Sequence, residues 1–128
     1  MRRLRAAALL VPALALTLSA CGGGSSAYCD TLTDNSAVSA TVFAPAIPGM
    51  ATSEQAEERL DLLEQVEDDV PEEIQEEFTI WQQHLEEIGP KLDSEDSEEL
   101  NEVIQSRTDE VAAAGETLSD HYTGTCMD

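Results

Sequence analysis

Basic residues are scarce in this sequence: 6 Lys and Arg stand against 27 Asp and Glu, which gives a formal net charge of −21 at pH 7. The electrostatic field of such a surface repels phosphate polymers, so we expect no nucleic acid partner. Anionic lipid head groups are repelled as well, which argues against membrane binding through the protein surface. Cations and basic proteins remain as partner classes that this charge favours.

The sequence also lacks an apolar run long enough to cross a bilayer. Its longest run, residues 6–18, has about 13 residues, whereas a membrane-spanning helix needs roughly 20. A cationic start at residues 2–5 precedes this run, and the small residues 19–20 follow it. This order is typical of a secretory signal peptide over residues 1–20 that is removed on export. Its removal takes away three arginines and no acid, so the exported chain becomes more acidic still.

The signal ends in residues 18–21, LSAC, which resemble the lipobox of bacterial lipoproteins. In that family the cysteine thiol is joined to diacylglycerol, and signal cleavage leaves the cysteine as the first mature residue. The resemblance implies that Cys21 carries covalent diacylglycerol and an acyl chain such as palmitate, with no other cofactor, and anchors the protein to the extracytoplasmic face of the cell membrane. Residues 21–27 would then form a flexible lipidated tether. The alternative is an ordinary secretory signal in which Cys21 happens to lie near the cut.

Two cysteines remain once Cys21 is assigned to lipid. Cys29 and Cys126 are an even pair in an exported, oxidising setting, so we predict a disulfide between them. It would close a loop of nearly the whole domain, for which chain entropy predicts a stabilisation of about 4.7 kcal/mol.

Apolar residues recur at helical spacing from residue 28 onward, which predicts an all-α domain over residues 28–128. We expect four helices: about residues 27–43, from Thr52 or Ser53 to Val70, from Pro71 to Ile88, and from a cap at Asp93 or Ser94 to about residue 122. The clearest stripe is Ile74, Phe78, Trp81, Leu85 and Ile88.

Three local expectations follow from this pattern. Asp69 is expected to cap the third helix, with Glu72 at the capping-box spacing. Arg107 falls within the fourth stripe, where we expect it to pair with an acid such as Glu110. Gly115 lies inside the fourth helix at a cost of about 1 kcal/mol relative to Ala, which indicates the close approach of a neighbouring helix.

Four consecutive helices joined by short loops favour a small up-down bundle. In that topology the first helix starts at the end where the fourth finishes, so Cys29 and Cys126 would meet there and close the bundle with one disulfide. The alternative is three helices with the segment 30–50 lying irregularly across them.

The order of lipobox, SAYCD, the acidic DDVPEEIQEEF and the C-terminal SDHYTGTC resembles small helical lipoproteins of unknown function from high-GC Gram-positive bacteria. The resemblance implies a cell-surface helical domain with one disulfide. It carries no catalytic or ligand residue over to this sequence.

Motifs for chemistry are missing. His84 and His121 are the only histidines, and neither has Glu three residues before it, as carboxylate di-iron bundles require. The acidic stretch that starts at Asp93 lacks the glycine and the final glutamate of a calcium loop. No Gly-x-Ser-x-Gly elbow is present. We therefore predict no metal site, no catalytic residue and no enzymatic activity.

Binding or a structural role at the cell envelope is the function that these features favour, for a protein expected to be a monomer. Phe43, Ile47 and Met50 lie in a Pro-rich loop, where they either cap the end of the bundle or form a patch for an envelope protein or an acyl chain. The alternative function is a carrier of a small hydrophobic or cationic ligand in the bundle interior. Acidic pairs at helical spacing repel each other, so we expect added salt or divalent cations to raise the melting temperature.

Overall fold

The fold is all-α, as predicted, in a computed structural model that describes residues 23–127, with side chains from residue 27 onward. No β-strand occurs among the described residues. The helices are α1 (Gly23–Asp34), α2 (Ser36–Val42), α3 (Ser53–Val66), α4 (Gln75–Ile88), α5 (Ser97–Ser106) and α6 (Asp109–His121). Short 3-10 turns follow α3, precede α4 and follow α4, and a π-helical turn, Tyr122–Cys126, follows α6.

The first predicted helix is two helices, α1 and α2, which meet at Asn35. The Asn35 side chain donates to the carbonyl of Thr31 at 2.8 Å, and the buried Ser39 hydroxyl donates to the carbonyl of Leu32 at 2.6 Å. Such side chains compete with the backbone for helical hydrogen bonds, which explains the break. α1 also begins at Gly23, so it includes residues predicted as a flexible tether. Elongating a formed helix adds one hydrogen bond for each residue fixed, which offsets the poor propensity of that segment.

Helix α3 begins where the sequence predicts. The Thr52 hydroxyl accepts a hydrogen bond from the backbone N–H of Gln55 at 3.1 Å, and the Gln55 side chain accepts one from the backbone N–H of Thr52 at 3.0 Å. This reciprocal pair is a capping box. The buried face of α3 consists of Ala56, Arg59, Leu62, Leu63 and Val66.

The predicted Asp69 cap is wrong. Val70, the residue before Pro71, is extended (φ −65°, ψ 126°), as steric contact with the proline ring favours. Asp69 therefore ends the turn after α3, while α4 begins only at Gln75, after the turn Glu72–Ile74. Neither the turn nor α4 has a side-chain cap.

The fourth predicted helix is also two helices. Asp96, not Asp93 or Ser94, caps α5 by accepting from the backbone N–H of Glu98 at 2.9 Å. Asp93 instead accepts from the backbone N–H of Ser53 at the start of α3, at 3.1 Å. Thr108 then caps α6, with acids in its first turn that favour a new helix start.

Arg107 consequently lies between α5 and α6 with a non-helical backbone (φ −81°, ψ 77°) and an exposed side chain. The described ion pairs do not include the predicted pair of Arg107 with Glu110. The break at Thr108 takes Arg107 out of the helical stripe that motivated this prediction.

The packing of the helices closes into a ring. α1 packs on α3, α3 on α4, and α4 on α6, while the turn after α6 packs back on α1. The Cys29–Cys126 disulfide joins α1 to that turn, with a Cα–Cα distance of 4.9 Å, which confirms the predicted pairing. The predicted stripe of α4 lies fully in the core.

Gly115 lies where a neighbouring helix approaches closely, as predicted. A Cβ atom at this position would lie 2.6 Å from Cζ3 of Trp81. Only a residue without a side chain therefore lets α6 approach the indole ring on α4 this closely.

Candidate binding surfaces

A groove of about 300 Å³ lies beside Trp81, between α6 and the segment that follows α2. Phe43, Pro45 and Trp81 line its apolar side, and Arg107, Glu116 and Asp120 provide its charged groups. Its volume is at the lower limit of small-molecule pockets. The rings of Phe43 and Trp81 are almost fully buried, so only a small part of each is accessible from the groove. We call this feature the Trp81 groove.

Trp81 is held in a fixed orientation. Its indole Nε1–H donates to the carbonyl of Val42 at 2.8 Å. Val42 is the last residue of α2, so this hydrogen bond satisfies one of the carbonyls that a helix end leaves without an internal partner. The same contact holds the following loop against α4.

His84 lies beside the indole, with ring centroids 5.7 Å apart. Burial lowers the pKa of His84, and the nearby charge of Arg107 adds to that effect, while Glu87 opposes it. The imidazole is therefore neutral at neutral pH and acts as part of the packed core next to the groove.

A second polar cluster, which includes the buried Tyr28, lies near the disulfide. The fully buried ring of Tyr28 meets His121 edge to face, at 5.8 Å between centroids. Nε2 of His121 lies 3.3 Å from Oε1 of Glu73, within ion-pair distance but not aligned for a hydrogen bond. Burial raises the pKa of the Tyr28 hydroxyl, so this group is neutral. It has no hydrogen-bond partner among the described residues.

Metal ligands do not gather in the described part of the chain. Residues 27–127 contain no group of three or more His, Cys, Asp or Glu side chains arranged to hold an ion. His84 lies on α4 and His121 ends α6, and each packs against an aromatic ring instead.

The three predicted patch residues differ widely in exposure. Phe43 is 5% exposed and belongs to the core, whereas Ile47 is 39% and Met50 80% exposed. The carbonyl of Ile47 accepts from the backbone N–H groups of Met50 and Ala51, both at 2.9 Å. Gly49 adopts φ 87°, which glycine tolerates and other residues disfavour. This tight turn holds Met50 out from the surface.

Helix α5 presents an apolar surface that the sequence pattern assigns to the core. Of its three aliphatic residues only Val103 is buried; Leu100 is half-buried and Ile104 is 62% exposed. Two hollows meet at Leu100: one continues along α5 to Ile104, and the other extends to the turn at Gly49. We call the surface formed by Leu100, Ile104 and the turn residues Pro48 and Gly49 the α5 strip. Its signal in the sequence is an apolar face on α5 that is wider than one neighbouring helix covers.

Cations contribute little to these surfaces. Lys91 pairs with Glu102 at 3.0 Å, next to the α5 strip. Arg59 is buried, donates to the carbonyl of Ala44 at 3.2 Å, and has no carboxylate partner among the described residues. Its burial lowers the pKa of the guanidinium. Two of the chain's few cations are therefore used within the fold.

Cys21, the predicted lipidation site, lies outside the described residues, as does the predicted signal peptide. None of the described helices combines the length and apolar character that crossing a bilayer requires.

Comparisons of this chain with protein-family models, curated proteins and solved structures found no match.

Proposed function

We propose that this chain is a lipid-anchored domain on the extracytoplasmic face of the cell membrane that acts by binding, without enzymatic activity. The observation that carries this proposal is the LSAC sequence at residues 18–21, which follows a cationic start and an apolar run and ends in Cys21. The lipid on Cys21 supplies the membrane contact that the acidic surface disfavours.

The disulfide supports export. Disulfides persist in oxidising compartments, and Cys29–Cys126 is formed in the fold. It also ties the last turn of the domain to α1, close in sequence to the proposed anchor.

The anchor is tested by expressing the full chain in a bacterium that has the lipoprotein pathway. Intact-mass measurement of the membrane fraction should show loss of residues 1–20 and a gain of diacylglycerol and an acyl chain. The Cys21→Ser variant should lose the lipid mass and leave the membrane fraction. Cys29→Ser is the matched control and should keep the lipid. Wild-type protein cleaved elsewhere and free of lipid would contradict the proposal.

Carriage of a small hydrophobic or cationic ligand is a second candidate function, and the Trp81 groove favours it. Glu116 and Asp120 place negative charge beside an apolar wall, which favours a cationic ligand with an apolar part. Trp81 is the only tryptophan, so its emission reports occupancy directly.

This candidate is tested by titrating the chain with benzyltrimethylammonium and with neutral toluene. Saturable changes in Trp81 emission, weakened for the cation alone by Glu116→Gln, would support a carrier. The control Glu64→Gln removes a charge on α3, away from the groove, and should leave binding unchanged. Unchanged emission up to the solubility limit of both probes would exclude it.

A further inference from the structure

The α5 strip is apolar, concave and uncovered. Leu100 joins two hollows: one is lined further by Pro48, Gly49 and Leu92, the other by Asn101 and Ile104. The surface therefore combines a helix face with a tight turn from a distant part of the chain. An exposed apolar surface of this kind is typical of a protein interaction site.

The exposure of this face follows from the helix geometry. Residues three and four apart share a helix face, so Val103 and Ile104 lie to either side of Leu100. Val103 turns into the core. Ile104 falls on the outer side, together with Ser97 and Asn101, and its side chain is 62% exposed.

Negative charge borders the strip. Asp93 lines one hollow and Glu98 the other. Glu98 has no cationic partner among the described residues, and Lys91, the nearby cation of this region, already pairs with Glu102. A segment that covers the apolar strip therefore meets carboxylates at its edges.

We propose that the α5 strip binds an amphipathic, positively charged helical segment of a partner protein. The apolar face of that segment would cover Leu100 and Ile104, and its Lys or Arg side chains would reach Asp93 and Glu98. A second copy of this chain fits less well, because it would bring the same carboxylates against each other. The inference rests on the proposed binding role but not on the lipid anchor.

The test measures fluorescence anisotropy of a labelled peptide in which Leu and Lys follow an amphipathic helical pattern, titrated with the full chain. A Leu/Glu peptide of the same pattern is the charge control. Binding should be saturable for the Lys peptide only. It should weaken as salt is raised to about 1 M, where the Debye length is about 3 Å.

Ile104→Ser tests whether the peptide binds at the α5 strip. Met127→Ser is the matched control, because the Ile104 and Met127 side chains are 62% and 63% exposed. Ile104→Ser should weaken binding about tenfold, as expected from withdrawing one aliphatic side chain from a contact, and Met127→Ser should leave it unchanged. Glu98→Gln should weaken binding about threefold at low salt only, and Glu64→Gln on α3 should not.

Four results would overturn the inference: equal losses in Ile104→Ser and Met127→Ser, equal binding of the Glu peptide, self-association of the chain that Ile104→Ser abolishes, or binding to phosphatidylcholine vesicles that Ile104→Ser abolishes. The third would assign the strip to a second copy, and the fourth to a lipid surface. Because the peptide test does not involve Cys21, its failure would leave the lipid anchor standing.

Discussion

Helices α5 and α6 come from one continuous apolar pattern but have opposite surroundings. α6 buries Ala114, Gly115 and Leu118 against its neighbours, and the turn that follows it is tied to α1 by the disulfide. α5 buries only Val103 and leaves Ile104 exposed. The difference shows that an apolar pattern predicts a helix face, whereas the position of the helix break decides whether that face is covered.

Removing the disulfide, which secures the α6 side of this comparison, should cause the largest loss of stability. The double variant Cys29→Ala/Cys126→Ala should lose about 4 to 5 kcal/mol of stability, since the bond closes a loop of nearly the whole domain. Chemical denaturation followed by Trp81 emission measures this loss. Reduced wild-type protein is the control and should behave alike. A loss below about 1 kcal/mol would mean that packing alone closes the ring.

Gly115→Ala should have the next largest effect. The new methyl group would lie 2.6 Å from the Trp81 ring, and overpacking of this kind costs about 1 to 3 kcal/mol. The gain in helix propensity is only about 1 kcal/mol, so a net loss is expected. The matched control is Gly124→Ala, where nothing lies within 4 Å of the new atom. Equal stability of the two variants would contradict the close α4–α6 contact.

Lowering the pH should reduce the stability of the fold through His84 on α4. Burial lowers the pKa of His84 in the folded state, so protonation favours the unfolded state. Stability from this residue is therefore present above its ordinary pKa of about 6.5 and is lost as pH falls below it. His84→Gln should lose less stability than wild type between about pH 7.5 and 5.5. All other titratable groups are common to the two proteins, so the difference isolates His84; parallel curves would contradict its buried, neutral state.

The smallest change in stability is expected for a substitution on the exposed face of α5. Ile104→Ser should change the free energy of unfolding by less than about 0.5 kcal/mol, because its side chain is largely exposed already. Its neighbour Val103 is the control: Val103→Ala removes buried methyl groups and should cost more than about 1 kcal/mol. Thermal or urea unfolding distinguishes the two. A large loss in Ile104→Ser would show that the strip is part of the core.

Local rules predicted much of this fold. The α4 stripe, the Thr52 cap, the Cys29–Cys126 pairing and the close approach at Gly115 each depend on spacing or on a single steric requirement. Such features can be recognised in a single sequence.

The helix breaks could not be predicted in the same way. Asn35 and Thr108 stand inside continuous apolar patterns, and only tertiary packing decides that their side chains form caps and bends instead of helix. The α5 strip depends on the second break, so periodicity indicates the apolar face of α5 but not its exposure. Phe43, which the sequence groups with Ile47 and Met50, enters the core for a related reason: the Trp81–Val42 hydrogen bond draws its backbone against α4.

Hydrogen exchange by mass spectrometry tests the central contrast most directly, with and without the amphipathic Lys peptide. In the free chain, amides of α6 should exchange more slowly than those of α5, because buried and cross-linked elements open less often. Added peptide should slow exchange in α5 and in the turn at residues 47–51, and leave α6 unchanged. Protection that appears in α6 instead, or α5 amides as slow as those of α6 in the free chain, would contradict the account.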